Sequence, residues 1–189
     1  YAIEKLQTWM KNNRTATDNK KQCFIYESVG NTVLSSDYLE FLDRTLPSLA
    51  VANKAICFGI SEKILLNNKQ ETMQFIGKVK EKGCQVALTE VGYNSLSATK
   101  IKELSVNFLK FDSSIIKEIE KDQSNYLTIK YINDIIHLSD LKSIIEVGEL
   151  EILPESIQAM CIDYVLGIDS VGKNWQSGKN QSFQPIRLL

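Results

Sequence analysis

The chain has 189 residues, 43% of them apolar and 24% charged, which is one domain's length with enough apolar material for a core and far from a disordered composition. Its 22 basic and 23 acidic residues leave a net charge of −1, which excludes a general binder of nucleic-acid polymers with a domain-wide basic excess. No apolar run approaches the ~18–20 residues of a membrane span, and residues 1–10 lack a basic segment followed by an apolar one, so a cytoplasmic protein without membrane insertion is expected.

Residues 11–21 read as a loop. Residues 22–29 form the first short apolar run, of strand length. From Asp37, apolar residues 38, 39, 41, 42 and 46 make one helical stripe, with Ser36 or Asp37 as N-cap. Residues 55–60 are a second strand. Residues 71–82 put Met73, Phe75, Ile76 and Val79 on one helical face and stop at Gly83, a suitable C′ residue. Strands at 85–89, 108–111, 143–147 and 164–166 then alternate with helices at 99–104, 124–138 and 155–160, the last with Pro154 at its first position. Residues 169–181, rich in Gly, Ser, Asn and Lys, read as a loop. Residues 182–189 could form a terminal strand, in which Pro185 would suit an edge position or the strand's start. Strands separated by helices predict βαβ units in a parallel sheet of one domain, 1–189. A doubly wound sheet and a (β/α) barrel both fit this pattern.

Cys23, Cys57, Cys84 and Cys161 have no CxxC or CxxH spacing and lie at the edges of apolar runs, so they read as small buried hydrophobes rather than zinc ligands. His137 has no second histidine with which to share a metal and reads as a structural side chain.

In parallel α/β folds chemistry collects where strands end. The polar residues closing the predicted strands are Glu27; Glu62 after Gly59; Thr89 and Glu90, then Gly92; Lys110 and Asp112; Glu146, then Glu149. The sixth run ends at Leu166-Gly167. Carboxylates and a lysine at these positions suit an oxygen-rich metal site handling phosphate. The same acids would equally cap the helices that follow.

Cys57-Phe-Gly-Ile-Ser-Glu62, Val86-Ala-Leu-Thr-Glu-Val-Gly92, Phe108-Leu-Lys-Phe-Asp112, Ile144-Ile-Glu-Val-Gly-Glu149 and Tyr164-Val-Leu-Gly167 resemble, in order, the successive signatures of the EAL domain. The resemblance covers roughly residues 1–168. It implies a modified TIM-type (β/α) barrel, mainly parallel and incomplete at its front, because the EAL motif itself has no counterpart here. It also implies descent from bacterial phosphodiesterases that hydrolyse cyclic di-GMP with magnesium or manganese.

Carried over by motif, the resemblance puts the family's metal-binding asparagine on Glu27 and its ExxE pair on Gly59 and Glu62. The paired aspartates fall on Thr89 and Glu90, the KxD pair on Lys110 and Asp112, the two glutamates of EGVE on Glu146 and Glu149, and the glutamine of QGY on Leu166. Gly59 and Leu166 offer no ligand and Thr89 only a neutral hydroxyl, so the expectation is a degenerate domain without catalytic residues or a metal cofactor. Its expected role is regulatory, through a protein partner or a homodimer. Non-hydrolysing binding of cyclic di-GMP through Glu62, Glu90, Lys110, Asp112, Glu146 and Glu149 is the alternative, and an active phosphodiesterase the third reading. Phe183-Gln-Pro-Ile186 is similar to the family's first strand, and the four-residue match is taken as chance.

Overall fold

A computed structural model describes residues 23–27, 30–48, 55–92, 98–119, 121–148, 155–167 and 186–188. The expectations for residues 1–21, Glu149, Pro154 and the loop 169–181 lie outside them, as does the side chain of Cys23.

Among the described residues seven strands form one sheet: β1 (Cys23–Glu27), β2 (Ile56–Ser61), β3 (Gln85–Val91), β4 (Phe108–Phe111), β5 (Lys142–Gly148), β6 (Tyr164–Gly167) and β7 (Ile186–Leu188). Their spatial order is β6-β5-β4-β3-β2-β1-β7, and every pairing is parallel. The connecting helices are α1 (Ser36–Thr45), α2 (Glu62–Asn67), α3 (Lys69–Glu81), α4 (Ala98–Glu103), α5 (Ser113–Lys117), α6 (Gln123–Leu138) and α7 (Glu155–Gln158). Short 3-10 turns occupy Gly30–Leu34 and Leu46–Ser48.

The sheet curves into a barrel wall. Lys110 on β4 reaches Glu27 on β1 at 2.5 Å, although two strands lie between them. In a flat sheet three strand spacings would hold them about 14 Å apart. The edge strands β6 and β7 also approach one another. The barrel assignment is the correct one of the two that the βαβ pattern allowed.

Period-two alternation gives each strand two apolar faces. On the concave face Ile25, Cys57, Ala87, Phe108, Ile144 and Leu166 pack together, with Tyr164 against them. Phe108 and Tyr164 meet edge to face at 5.7 Å between ring centroids. On the convex face Phe58, Ile60, Val86, Leu88, Leu109 and Ile145 pack against Leu42 of α1, Phe75, Ile76 and Val79 of α3, and Ile132 and Ile136 of α6. Helix α3 ends in a Schellman closure: Gly83, at φ 80°, donates to Lys80 O at 2.8 Å, and Cys84 N donates to Val79 O at 3.1 Å.

Two expectations need correction and two are met. The N-cap of α1 is Ser35, one residue earlier than either predicted candidate. Cys161 is exposed, in a turn at φ 55°, while Cys57 and Cys84 are buried as expected. Residues 186–188 do join the sheet, beside β1 (Cys23↔Ile186, Ile25↔Leu188), so this part of the tail has a definite slot. His137 does hold structure: its Nε2 lies 2.9 Å from Asp163 Oδ2.

Candidate active site

Two residues beyond the apolar plug on each strand comes the layer that opens at the C-terminal end of the barrel. It contains Glu27 of β1, Gly59 of β2, Thr89 of β3, Lys110 of β4 and Glu146 of β5, with Leu166 of β6 in register with Glu146. The alternation that makes these strands apolar on both faces also aims these side chains inward.

Lys110 is the centre of this layer. Its ammonium lies 2.5 Å from Glu27 Oε1 and 2.6 Å from Glu146 Oε2, and its side chain is 7% exposed. Burial alone would lower its pKa, but hydrogen bonds and charge from Glu146 and Glu27 outweigh burial and hold it above the ordinary lysine value. The lysine is therefore charged at neutral pH and engaged on both sides.

Gly59 and Thr89 wall the layer. A methyl group at Gly59 would stand 3.2 Å from Glu27 Cγ and 3.2 Å from the Thr89 methyl. Glycine lets β1, β2 and β3 approach here, and a longer side chain would have to displace Glu27. The Thr89 methyl, not its hydroxyl, faces Gly59.

The other predicted residues divide. Glu62 is buried, in the first turn of α2, after Ser61, whose hydroxyl accepts from Ile64 N at 3.4 Å. Asp112 caps α5, accepting from Ser114 N at 2.7 Å, and its own amide donates to Val91 O. Glu90 is exposed at φ 58°, where the β3–β4 register shifts between Leu88 and Val91. Thus Lys110 and Glu146 meet, Asp112 serves a helix cap, and Glu90 lies on the surface of a bulge. The expectation missed how Glu27 is used: its position at a strand end was noted, but only the curvature of the sheet brings it to Lys110.

Among the described residues the side chains do not fit a pair of divalent cations. Such ions take several oxygen ligands. Among the described residues no three His, Cys, Asp or Glu side chains are grouped to hold a metal. Glu27 and Glu146 already share a cation, and Gly59 and Leu166 carry no donor.

This geometry can be set beside known proteins. Residues 2–168 match the EAL domain family. The cyclic di-GMP phosphodiesterase PdeB of Shewanella oneidensis is 21% identical over 165 residues, covering 87% of this chain and 19% of that protein. The cyclic di-GMP phosphodiesterase PdeA of Borreliella burgdorferi is 30% identical over 133 residues, covering 70% of this chain and 20% of its own. The chain thus spans a fifth of the length of these relatives. In three dimensions it is similar to the FimX EAL domain of Xanthomonas citri in complex with c-diGMP, with a TM-score of 0.72 at 16% identity, over 88% of this chain and 65% of that one. The PaMucR phosphodiesterase in its c-di-GMP complex gives 0.75 at 14% identity, with the same coverage. These two likenesses establish the shared TIM-type barrel fold, and the match across residues 2–168 establishes descent: the chain belongs to the EAL domain family.

Proposed function

We propose that this chain is a catalytically degenerate EAL domain of bacterial cyclic di-GMP signalling, without a metal cofactor, that acts in the cytoplasm as a regulatory module through protein contact. The carrying observation is the Glu27–Lys110–Glu146 bridge, with Gly59, Thr89 and Leu166 around it. Metal-assisted hydrolysis needs carboxylates open to cations and a water in line with the phosphodiester. Here the two converging carboxylates are turned onto a lysine. The relatives' names supply the signalling context.

Contact with a protein is supported by α6, where Leu127, Tyr131 and Leu138 are all exposed. Their spacing of four and seven residues puts them within about 40° of one another around the helix. A homodimer is one way to cover such a face. No helix among the described residues is long and apolar enough to cross a membrane.

The test is incubation of the purified chain with cyclic di-GMP and magnesium or manganese. The expected outcome is no linear product above that of a Lys110→Ala chain; measurable product would overturn the reading. The second reading, a receptor that binds without cleaving, draws on the FimX domain solved with the nucleotide. Calorimetric titration separates the two. If the nucleotide binds, its phosphate must compete with Glu27 and Glu146 for Lys110. Lys110→Ala then weakens binding by roughly ten- to a hundredfold, the value of one charge-assisted hydrogen bond.

A further inference from the structure

Four large apolar side chains are exposed among the described residues, and three of them, Leu127, Tyr131 and Leu138, lie on α6. The isoleucines of this helix, Ile129, Ile132, Ile135 and Ile136, are all buried. Around the helix Leu127, Leu138 and Tyr131 fall at about 0°, 20° and 40°. Asp134 and Lys130 fall on the other side of Leu127, at about −20° and −60°. They pair with one another at 2.9 Å, and both are exposed.

This stripe is complementary to itself. The midpoint of Leu127 and Leu138 and the midpoint of Lys130 and Asp134 coincide to within half a residue, and Tyr131 is one residue from the latter. When a second α6 is laid antiparallel across this centre, each side chain meets one on the same side of the stripe. Leu127 meets the second copy's Leu138, and Lys130 meets the second copy's Asp134. The two Tyr131 rings lie side by side, offset by about 3 Å along the axis. A parallel pairing instead sets Asp134 against the second copy's Asp134 beside the centre line.

We infer that the exposed face of α6 is a self-association surface, on which a second copy of this chain docks through an antiparallel α6–α6 contact. The inference rests on the proposed reading of α6 as a contact face and names its occupant. Opposite charges at mirrored positions fit an isologous contact with the same helix. The leucines and tyrosines supply the attraction, and the two Lys130–Asp134 pairs set the direction. The contact is small. A helix of 16 residues is about 24 Å long and about 10 Å wide, well short of the ~800 Å² per partner of a stable complex. The dimer is therefore reversible, with a Kd on the order of 100 µM.

The experiment is sedimentation velocity on the full chain from about 10 µM to about 1 mM, in low salt so that exposed charges are little screened. The wild type should shift from monomer to dimer across this range. Tyr131→Asp, which brings two carboxylates together near the centre, should stay monomeric throughout. Lys130→Glu sets acid against acid across the contact and Asp134→Lys sets lysine against lysine, so each alone should raise Kd roughly tenfold. An equimolar mixture of these two variants should associate as tightly as the wild type, because each charge then meets its opposite on the other chain. All three positions are exposed, so the variants should melt within about 2 °C of the wild type. Leu127→Ser, which should also weaken the dimer, replaces any variant that does not fold. A wild type that stays monomeric at the highest concentration overturns the inference and leaves α6 to a different protein. A dimer that neither charge variant weakens overturns it too, and so do charge variants that fail to recover on mixing. A monomeric chain that leaves cyclic di-GMP intact sinks this inference alone, whereas a dimer of this kind that cleaves the nucleotide sinks the proposed function alone.

Discussion

Lys110 keeps its charge in a wall of apolar side chains only because two carboxylates meet it there. Taking it away exposes those carboxylates to each other. A fully buried ion pair broken on one side costs about 3–5 kcal/mol. Glu27 is 44% exposed and Glu146 32%, so water screens much of the remaining repulsion. Lys110→Ala should therefore lose about 2 kcal/mol in urea unfolding, nearer the exposed-pair limit than the buried one. A loss below ~0.5 kcal/mol would mean that the bridge is not kept in solution. Gly92 offers a second test at single-residue scale. A methyl there would stand 2.6 Å from Ile115 Cδ1, and Ile115 is completely buried, so its side chain has little room to yield. Gly92→Ala should cost about 1–3 kcal/mol, read from the same urea curves. An unchanged midpoint would show that α5 can shift away from β3.

At the scale of elements, one carboxylate ties three pieces together. Asp163, just before β6, accepts from Ser143 N of β5 at 2.9 Å and from Lys142 Nζ at 2.8 Å, and it touches His137 near the end of α6. Burial pushes its pKa up, but the bonds from Lys142, Ser143 and His137 win and hold it below the usual carboxylate value. A depressed folded-state pKa stabilises the fold above the unfolded value of about 3.9, and that contribution is lost as pH falls through the folded value. Asp163→Asn should thus cost about 1–3 kcal/mol at pH 7, with the gap between variant and wild type closing as pH falls below the ordinary carboxylate range. A gap that stays constant with pH would assign the loss to packing instead of charge. These elements were unevenly legible in the sequence. The strands stood out because both of their faces are apolar, and α3 because its stripe ends at Gly83. Helix α2 went unseen because Ile64-Leu65-Leu66 is too short a run to show a period and Asn68 separates it from α3. Helix α5 is shorter still, and the strand-end pattern leaves the acid that opens it, Asp112, equally open to a site role and to a cap. Cys161 looked like part of an apolar run but turns outward at positive φ. Among the site residues Lys110 and Glu146 were legible from strand ends, whereas their meeting with Glu27 depends on curvature that no local pattern encodes.

For the whole molecule, the question is what covers the edges of a parallel sheet. An unpaired strand edge offers backbone donors and acceptors to any other chain. The β1 edge does not stay unpaired: β7 lies beside it in parallel, with Phe24 opposite Arg187, and it also approaches β6 across the opening of the barrel. Three residues near the end of the sequence thus cover one edge and narrow the gap to the other. Deleting residues 182–189 removes this cover and leaves β1, with fully buried Ile25 at its centre, as an open edge. The truncated chain should associate, seen as a rise in light-scattering mass with protein concentration, and melt at a lower temperature than the intact chain. Association should be stronger in the truncated chain even at low concentration, because the unpaired backbone of β1 is then available to every copy. If the truncated chain scattered as the intact one does and melted at the same temperature, β1 would be protected by something other than β7, and contact through a partner subunit would be the remaining explanation.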